Sequence, residues 1–407
     1  MPVRPQLDLV RRIDLKKANV ARSNTIRYIN RQIVLNYVRE RAPISRAEIA
    51  HETALQRSTV SLIVDDLRAE GLIEEVEGES TGGRPPILLS LRAAGPVAIG
   101  VDIGTSRTLV ATSDLAGRLL DQEEFATDPS ADKTMARIVD CVRQLVNKNR
   151  GSIEGIGISL PGLVNPQTGN ALFVPHFKWR DLAISQKIGR LTGLPVSADN
   201  DANATGLAEL WFGRPEVREV RDFTMVLVAE GIGTGIVIDG QVYRGERGAA
   251  GEFGHMTIGT GAPVACASGS YECWEAFASE RAALARYAKL SSHSPGPRDI
   301  SFSQLVDHAL EGEKAAQTAL LKTAYYLGVG ISNLIKGLSP EAVIVSGQIA
   351  RAWSLISDEI KDAVEENSIC RSLTSTRIIA STLGENPTLM GALSLVLASK
   401  FASALTA

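Results

Sequence analysis

Apolar residues along the first ninety positions recur at helical spacing and then change period. Ile26, Ile29, Ile33 and Tyr37 fall three or four apart within residues 25–41, which predicts a helix with one apolar face, ended by Pro43. Ser45 with Glu48 three positions on reads as a capping box opening a short second helix. After residues 53–56 a third helix is expected to bury Val60, Ile63, Val64 and Leu67 and to stop at Gly71. LIEEVE (72–77) and ILLSL (87–91) then read as two strands of a hairpin around GESTGGRPP. From Val97 onward strands alternate with helices. VAIGVDIG is a strand, RTLVATSDLAGRLL a hairpin, and 134–149 a helix with Met135, Ile138, Val142, Leu145 and Val146 inward, followed by a strand at 153–159. A second strand–glycine–strand unit recurs at 225–240, and the apolar helix at about 313–337 is assigned to the core.

Helix, short turn and helix followed by a hairpin is the plan of a winged helix-turn-helix, whose second helix enters the major groove by its N-terminus. The residues expected to face DNA are Arg46, Gln56, Arg57, Ser58, Thr59 and Ser61, with Arg84 at the wing tip for the narrow minor groove. Arginine suits guanine, glutamine suits adenine, and the hydroxyls suit phosphates or base edges.

Charge agrees with that division. Residues 1–60 hold twelve Arg and Lys against five Asp and Glu, although the whole chain carries −3. A basic head on an acidic body is what a partner of a polyanion looks like. At 407 residues, 44% hydrophobic and 22% charged, the chain is too apolar to be disordered and long enough for several cores. No apolar run reaches membrane-spanning length, the N-terminal stretch lacks a signal-peptide apolar region, and four cysteines make no disulfide framework, so a cytoplasmic protein is expected. The organisation expected is a loose basic arm at 1–22, a winged helix-turn-helix domain at 23–92, and a two-lobed α/β domain of the actin/hexokinase (ribonuclease H-like) kind at 97–407.

The motifs of that body are specific in order and spacing: DIGT (102–105), LPGLVNPQTG (160–169), DNDANATGLAE (199–209), EGIGTGIVIDGQVYRG (230–245), GEFGH (251–255) and CASGSYECWE (266–275). Together they resemble the ROK family of repressors and sugar kinases over nearly the whole chain. With a winged helix ahead, the resemblance is to its transcriptional repressors. It implies a monosaccharide pocket lined by Gly162, Asn200, Asp201, Glu252, His255 and Glu275, with Gly162 letting the main chain approach the sugar ring. Carboxylates and amides suit sugar hydroxyls because each hydroxyl both donates and accepts. Asp201 matches the base that, in the family's kinases, takes the proton of the hydroxyl being phosphorylated. The partners implied are operator DNA, a monosaccharide effector and a second copy of the chain in a homodimer or tetramer, with no membrane.

Two departures qualify the resemblance. Asp102 and Thr105 keep the family's first phosphate loop, but Ala229-Glu230-Gly231 stands where its kinases usually read Gly-Thr-Gly. A carboxylate there repels a phosphate, so a repressor is expected and an ATP-dependent sugar kinase with a DNA-binding head is the alternative. The family's structural zinc uses one His and three Cys; here His255, Cys266 and Cys273 match, but Ser268 replaces the middle thiolate. Zinc is therefore expected to be weakened, with no other cofactor implied.

Overall fold

The computed structural model describes residues 23–79, 85–93, 95–149, 151–213, 217, 220–291, 300–368 and 376–402. The arm at 1–22 and Arg84 lie outside them. The chain divides into two compact units, residues 1–92 with 401–407, and residues 93–400.

In the first unit, α1 (Ser23–Arg41), α2 (Arg46–Thr53) and α3 (Arg57–Ala69) precede a hairpin of β1 (Ile73–Glu77) and β2 (Ile87–Leu91). The capping box forms as expected: the Ser45 hydroxyl accepts from the Glu48 N–H, and the Glu48 carboxylate accepts from the Ser45 N–H. The α3 stripe Val60, Ile63, Val64 and Leu67 is buried. Ile44 adds a single antiparallel bridge to β2 by bonding both ways with Leu89. The stripe expected on α1 is not the inward one. Ile26 is 50% exposed and Ile33 36%, whereas Val34, Leu35 and Val38 are buried. This helix is apolar on two sides, so spacing alone did not choose the packed one.

The second unit repeats one sheet twice. In the first lobe, β3 (Val97–Ile103) pairs antiparallel with β4 (Arg107–Ser113), which pairs antiparallel with β5 (Leu119–Ala126). On its other side β3 runs parallel to β6 (Ile153–Leu160), and β6 to β10 (Val196–Asn200). In the second lobe β11 (Phe223–Val228) meets β12 (Ile232–Ile238) antiparallel, and β12 meets β13 (Gln241–Tyr243) likewise. There β11 runs parallel to β14 (Ala342–Ser346), and β14 to β15 (Arg377–Ala380). The antiparallel three and the added parallel two therefore recur in the same order. A small antiparallel sheet of β7 (Leu163–Asn165), β8 (Asn170–Val174) and β9 (Trp179–Leu182) is inserted in the first lobe.

Helices cover both sheets, which is why β3, β11 and β14 read as nearly unbroken apolar runs. They are α4 (Ala131–Lys148), α5 (Ile184–Thr192), α6 (Asp201–Phe212), α7 (Trp274–Ala278), α8 (Glu280–Leu290), α9 (Phe302–Leu310), α10 (Lys314–Leu338), α11 (Trp353–Glu366) and α12 (Pro387–Phe401). In α4, Met135, Ile138, Val142 and Leu145 are buried as expected, while Val146 is only partly covered. The long α10 is a core helix, with Leu320, Leu327, Ile331 and Leu334 in the second lobe's cluster.

Candidate functional site

A cavity of about 350 Å³ opens within the second unit, lined from both lobes. That volume falls in the usual range for small-molecule sites, about 300–1,000 Å³. All six residues expected there, Gly162, Asn200, Asp201, Glu252, His255 and Glu275, line it. Their surroundings change what several of them can do.

Asn200 ends β10 and caps α6. Its Oδ1 accepts from the N–H groups of Ala202 and Asn203, and its Nδ2 donates to the Gly162 carbonyl at 3.0 Å. One amide hydrogen remains for a ligand, so Asn200 is first a brace for its neighbours. Gly162 also has a structural reason to be glycine. Its φ is +108°, and a Cβ would come within 2.3 Å of the Phe173 carbonyl. Close approach of β8 thus demands glycine there independently of any ligand, and Gly162 also lines the cavity.

Asp201 opens α6 and accepts from the Ala202 N–H at 2.8 Å. Burial pushes its carboxyl up to about 7, the Ala202 hydrogen bond opposes the rise, and the carboxylates of Asp102 and Glu252 add to it. Asp102, from β3, is likewise raised to about 6 by burial, against hydrogen bonds from Thr388 and Ser159 and the nearby Arg107. Thr388, in the first turn of α12, holds Asp102 Oδ2 at 2.6 Å. Glu252 is raised by partial burial and by Glu275, and lowered by His255.

Glu275 is the most firmly fixed of the acids. Its Oε2 accepts from the Ile232 N–H at 3.3 Å, and its Oε1 from the Ala267 N–H at 2.8 Å and from Arg281 at 3.3 Å. A Cβ on Gly231 would lie 2.3 Å from Glu275 Oε2, so a side chain there would push that carboxylate off its hydrogen bonds. Between the lobes, Arg244 Nε donates to Asp199 Oδ2 at 2.7 Å, joining the end of β13 to β10.

Sequence reasoning missed two lining residues with chemistry, Arg281 and His176. Arg281 Nε donates to the Glu230 carbonyl at 2.9 Å and its Nη2 to the Ala265 carbonyl at 3.2 Å. Ser279 caps the helix that carries it, a readable start signal, but nothing local announces a cation reaching Glu230 fifty residues back.

Among the described residues, His255, Cys266 and Cys273 are the only group of three whose ligating atoms lie together, within 4.8 Å. The Ser268 hydroxyl stands 2.9 Å from Cys266 Sγ. Hydrogen bonds from Ser268, Cys273 and His255 outweigh burial and bring the Cys266 thiol down to about 7. Three soft donors and an alcohol oxygen fit a zinc ion, with one weak ligand of the four.

In the first unit, Gln56, Arg57 and Ser58 are exposed at the start of α3, and Thr59 and Ser61 are half-buried. Arg46, expected at the DNA surface, is instead drawn into ion pairs with Asp65 and Glu75, each at 2.9 Å. Its guanidinium fastens α2 to α3 and β1.

The model of the ROK family matches residues 98–399. The chain belongs to the ROK family. A model of the winged helix-turn-helix DNA-binding kind matches residues 27–74. The xylose repressor of Caldicellulosiruptor bescii is 32% identical over 91% of this chain and 96% of its own. The DNA-binding transcriptional dual regulator NagC of Escherichia coli is 24% identical over 93% and 95%. Among solved structures, a ROK family transcriptional regulator homologous to the E. coli MLC protein matches with TM-score 0.75 and 26% identity, over 93% of this chain and 97% of that one. A Streptomyces griseus ROK glucokinase in complex with glucose and AMPPNP matches with TM-score 0.66 and 29% identity, over 74% and 99%. The kinase thus covers about three quarters of this chain and the regulator nearly all of it. Among the described residues no helix is long and apolar enough to cross a membrane.

Proposed function

We propose that this chain is a sugar-responsive transcriptional repressor: it holds operator DNA through its winged helix and releases it when a monosaccharide fills the ROK cleft. The observation that carries this reading is the union, in one chain, of a winged helix with a cleft that keeps Asp201, Glu252 and Glu275. Arg57 and Gln56 read bases, and Ser58, Thr59 and Ser61 meet phosphates or base edges. Two copies bound to a palindromic operator account for such a reader, as a homodimer or as half of a tetramer. Sugar and DNA favour different states of the chain, and the coupling is reciprocal: what sugar does to DNA affinity, DNA does to sugar affinity. A near-complete switch needs about 5 kcal/mol of differential binding.

In this reading Asp201 accepts a hydrogen bond from a sugar hydroxyl and phosphorylates nothing. Support comes from Glu230, which lines the cleft in the loop where the family's kinases cradle phosphate. The competing reading, an ATP-dependent sugar kinase, is favoured by the retained Asp201 and by the likeness to the glucokinase. The deciding experiment measures the affinity of the full chain for DNA selected from a random library, with and without a panel of monosaccharides. A sugar that weakens binding, and an Asp201→Ala chain that binds DNA but ignores the sugar, support the repressor. Turnover of ATP with any hexose in a coupled assay supports the kinase.

A further inference from the structure

We infer that Glu230 makes the cleft selective by charge, admitting uncharged monosaccharides and rejecting those that carry a phosphate. The inference rests on the sugar-responsive reading above and adds the class of ligand that the cleft accepts.

A phosphate inside a protein is held by cations, by free N–H groups at helix starts or by a glycine-rich loop, and here the loop matching the family's second phosphate loop carries Glu230. Arg281 is the single Arg or Lys among the described residues lining the cleft, and it is already committed. It bonds to the carbonyls of Glu230 and Ala265 and to the carboxylate of Glu275. The start of α6 faces the same cavity, but its N–H groups at Ala202 and Asn203 are taken by Asn200 and Asp201. The main-chain N–H groups of Ile232 and Ala267 are taken by Glu275. Each of these donors is thus spent on the protein's own acids and amides.

The acids that remain face an incoming anion. Glu230, Glu252, Asp201 and Glu275 line the cavity, against one guanidinium and the imidazoles of His176 and His255. Glu280, beside Glu230, is so crowded that burial and the Glu230 charge hold its carboxyl up to about 8. A phosphate brought to Glu230 would add negative charge beside a carboxylate that already raises its neighbour Glu280. A neutral sugar faces no such penalty, because its hydroxyls donate to the same carboxylates.

The test compares matched pairs on the full chain by calorimetry: glucose with glucose 6-phosphate, and N-acetylglucosamine with its 6-phosphate. For any pair that binds, the neutral member is expected to bind about a hundredfold tighter or better. In Glu230→Gln, which removes the charge and keeps the shape, that ratio is expected to shrink about tenfold. Glu230→Thr is the second variant, should the glutamine chain fail to fold. A phosphorylated sugar that equals or outbinds its neutral partner on the wild-type chain overturns the inference and leaves the sugar-responsive reading intact. An unchanged ratio in both variants removes Glu230 as the selector. No binding by either member of any pair, or by any sugar of the wider panel, ends the sugar-responsive reading and this inference together.

Discussion

Arg281 Nε donates to the main-chain carbonyl of Glu230 at 2.9 Å, so a side chain from α8 holds the turn between β11 and β12. The same guanidinium reaches the Ala265 carbonyl and the Glu275 carboxylate, linking that turn to the loop before α7. Arg281→Met removes all three links and leaves Glu275, 8% exposed, without its cation. Because Arg281 is itself partly exposed, the expected loss of stability is modest, about 1–2 kcal/mol. Ligand affinity should fall by about tenfold as the second lobe's wall of the cleft loosens, a loss read by calorimetry. Lysine should rescue poorly, since an ammonium cannot make the three-way planar contact.

The acids of the cleft make stability fall as pH rises. Asp201 is held up to about 7 and Asp102 to about 6, each from an ordinary value of 3.8. Between about pH 4 and pH 7 the folded chain therefore binds protons that the unfolded chain has already released, and stability declines with pH across that window. The melting temperature of the ligand-free chain should be higher at pH 5.5 than at pH 8. Asp201→Asn should flatten the upper part of the slope. Sugar affinity should run the other way, rising from pH 6 to pH 8, because an ionised Asp201 accepts a hydroxyl's hydrogen bond more strongly than a protonated one. A profile with no difference between wild type and Asp201→Asn would place the titration elsewhere.

Two arginines of the head should separate by readout. Arg57 is exposed at the start of α3, whereas Arg46 is paired with Asp65 and Glu75. Arg57→Ala should weaken operator binding by about 1–3 kcal/mol and leave the melting of the head unchanged. Arg46→Ala should lower the melting temperature and weaken DNA binding mainly by loosening α2 and α3. A large loss of DNA affinity in Arg46→Ala with no change in melting would return Arg46 to the DNA surface.

What the sequence disclosed and what it withheld follow one physical division. The capping box at Ser45 and Glu48, the stripe from Val60 to Leu67 and the twice-repeated strand–glycine–strand unit are local patterns, and local patterns survive in a linear string. The motifs placed all six expected residues on one cavity. Competition among side chains did not survive. That Arg46 is captured by Asp65, that the Asn200 amide donates to the Gly162 carbonyl, and that Arg281 serves Glu230 are meetings between distant segments. The inward face of α1 was misjudged for a related reason, since Ile26 and Ile33 are as apolar as Val34 and Leu35 and only tertiary packing distinguishes them.

The His255, Cys266 and Cys273 cluster gives the last prediction. These three side chains bring their ligating atoms within 4.8 Å of one another, and the Ser268 hydroxyl sits beside Cys266. A thiol brought down to about 7 ionises readily when a cation arrives, which favours zinc. An alcohol in the fourth place binds zinc far less well than a thiolate, which opposes retention. The wild-type chain should therefore take up zinc when it is supplied and lose most of it on dialysis against a mild chelator. Ser268→Cys should keep about one equivalent through the same dialysis and melt at a higher temperature with zinc than without. Metal content per chain, measured by elemental analysis before and after dialysis, reads both outcomes. One equivalent retained by the wild-type chain would mean that three ligands and an oxygen suffice here; none retained by Ser268→Cys would mean that the loop does not present its side chains tetrahedrally.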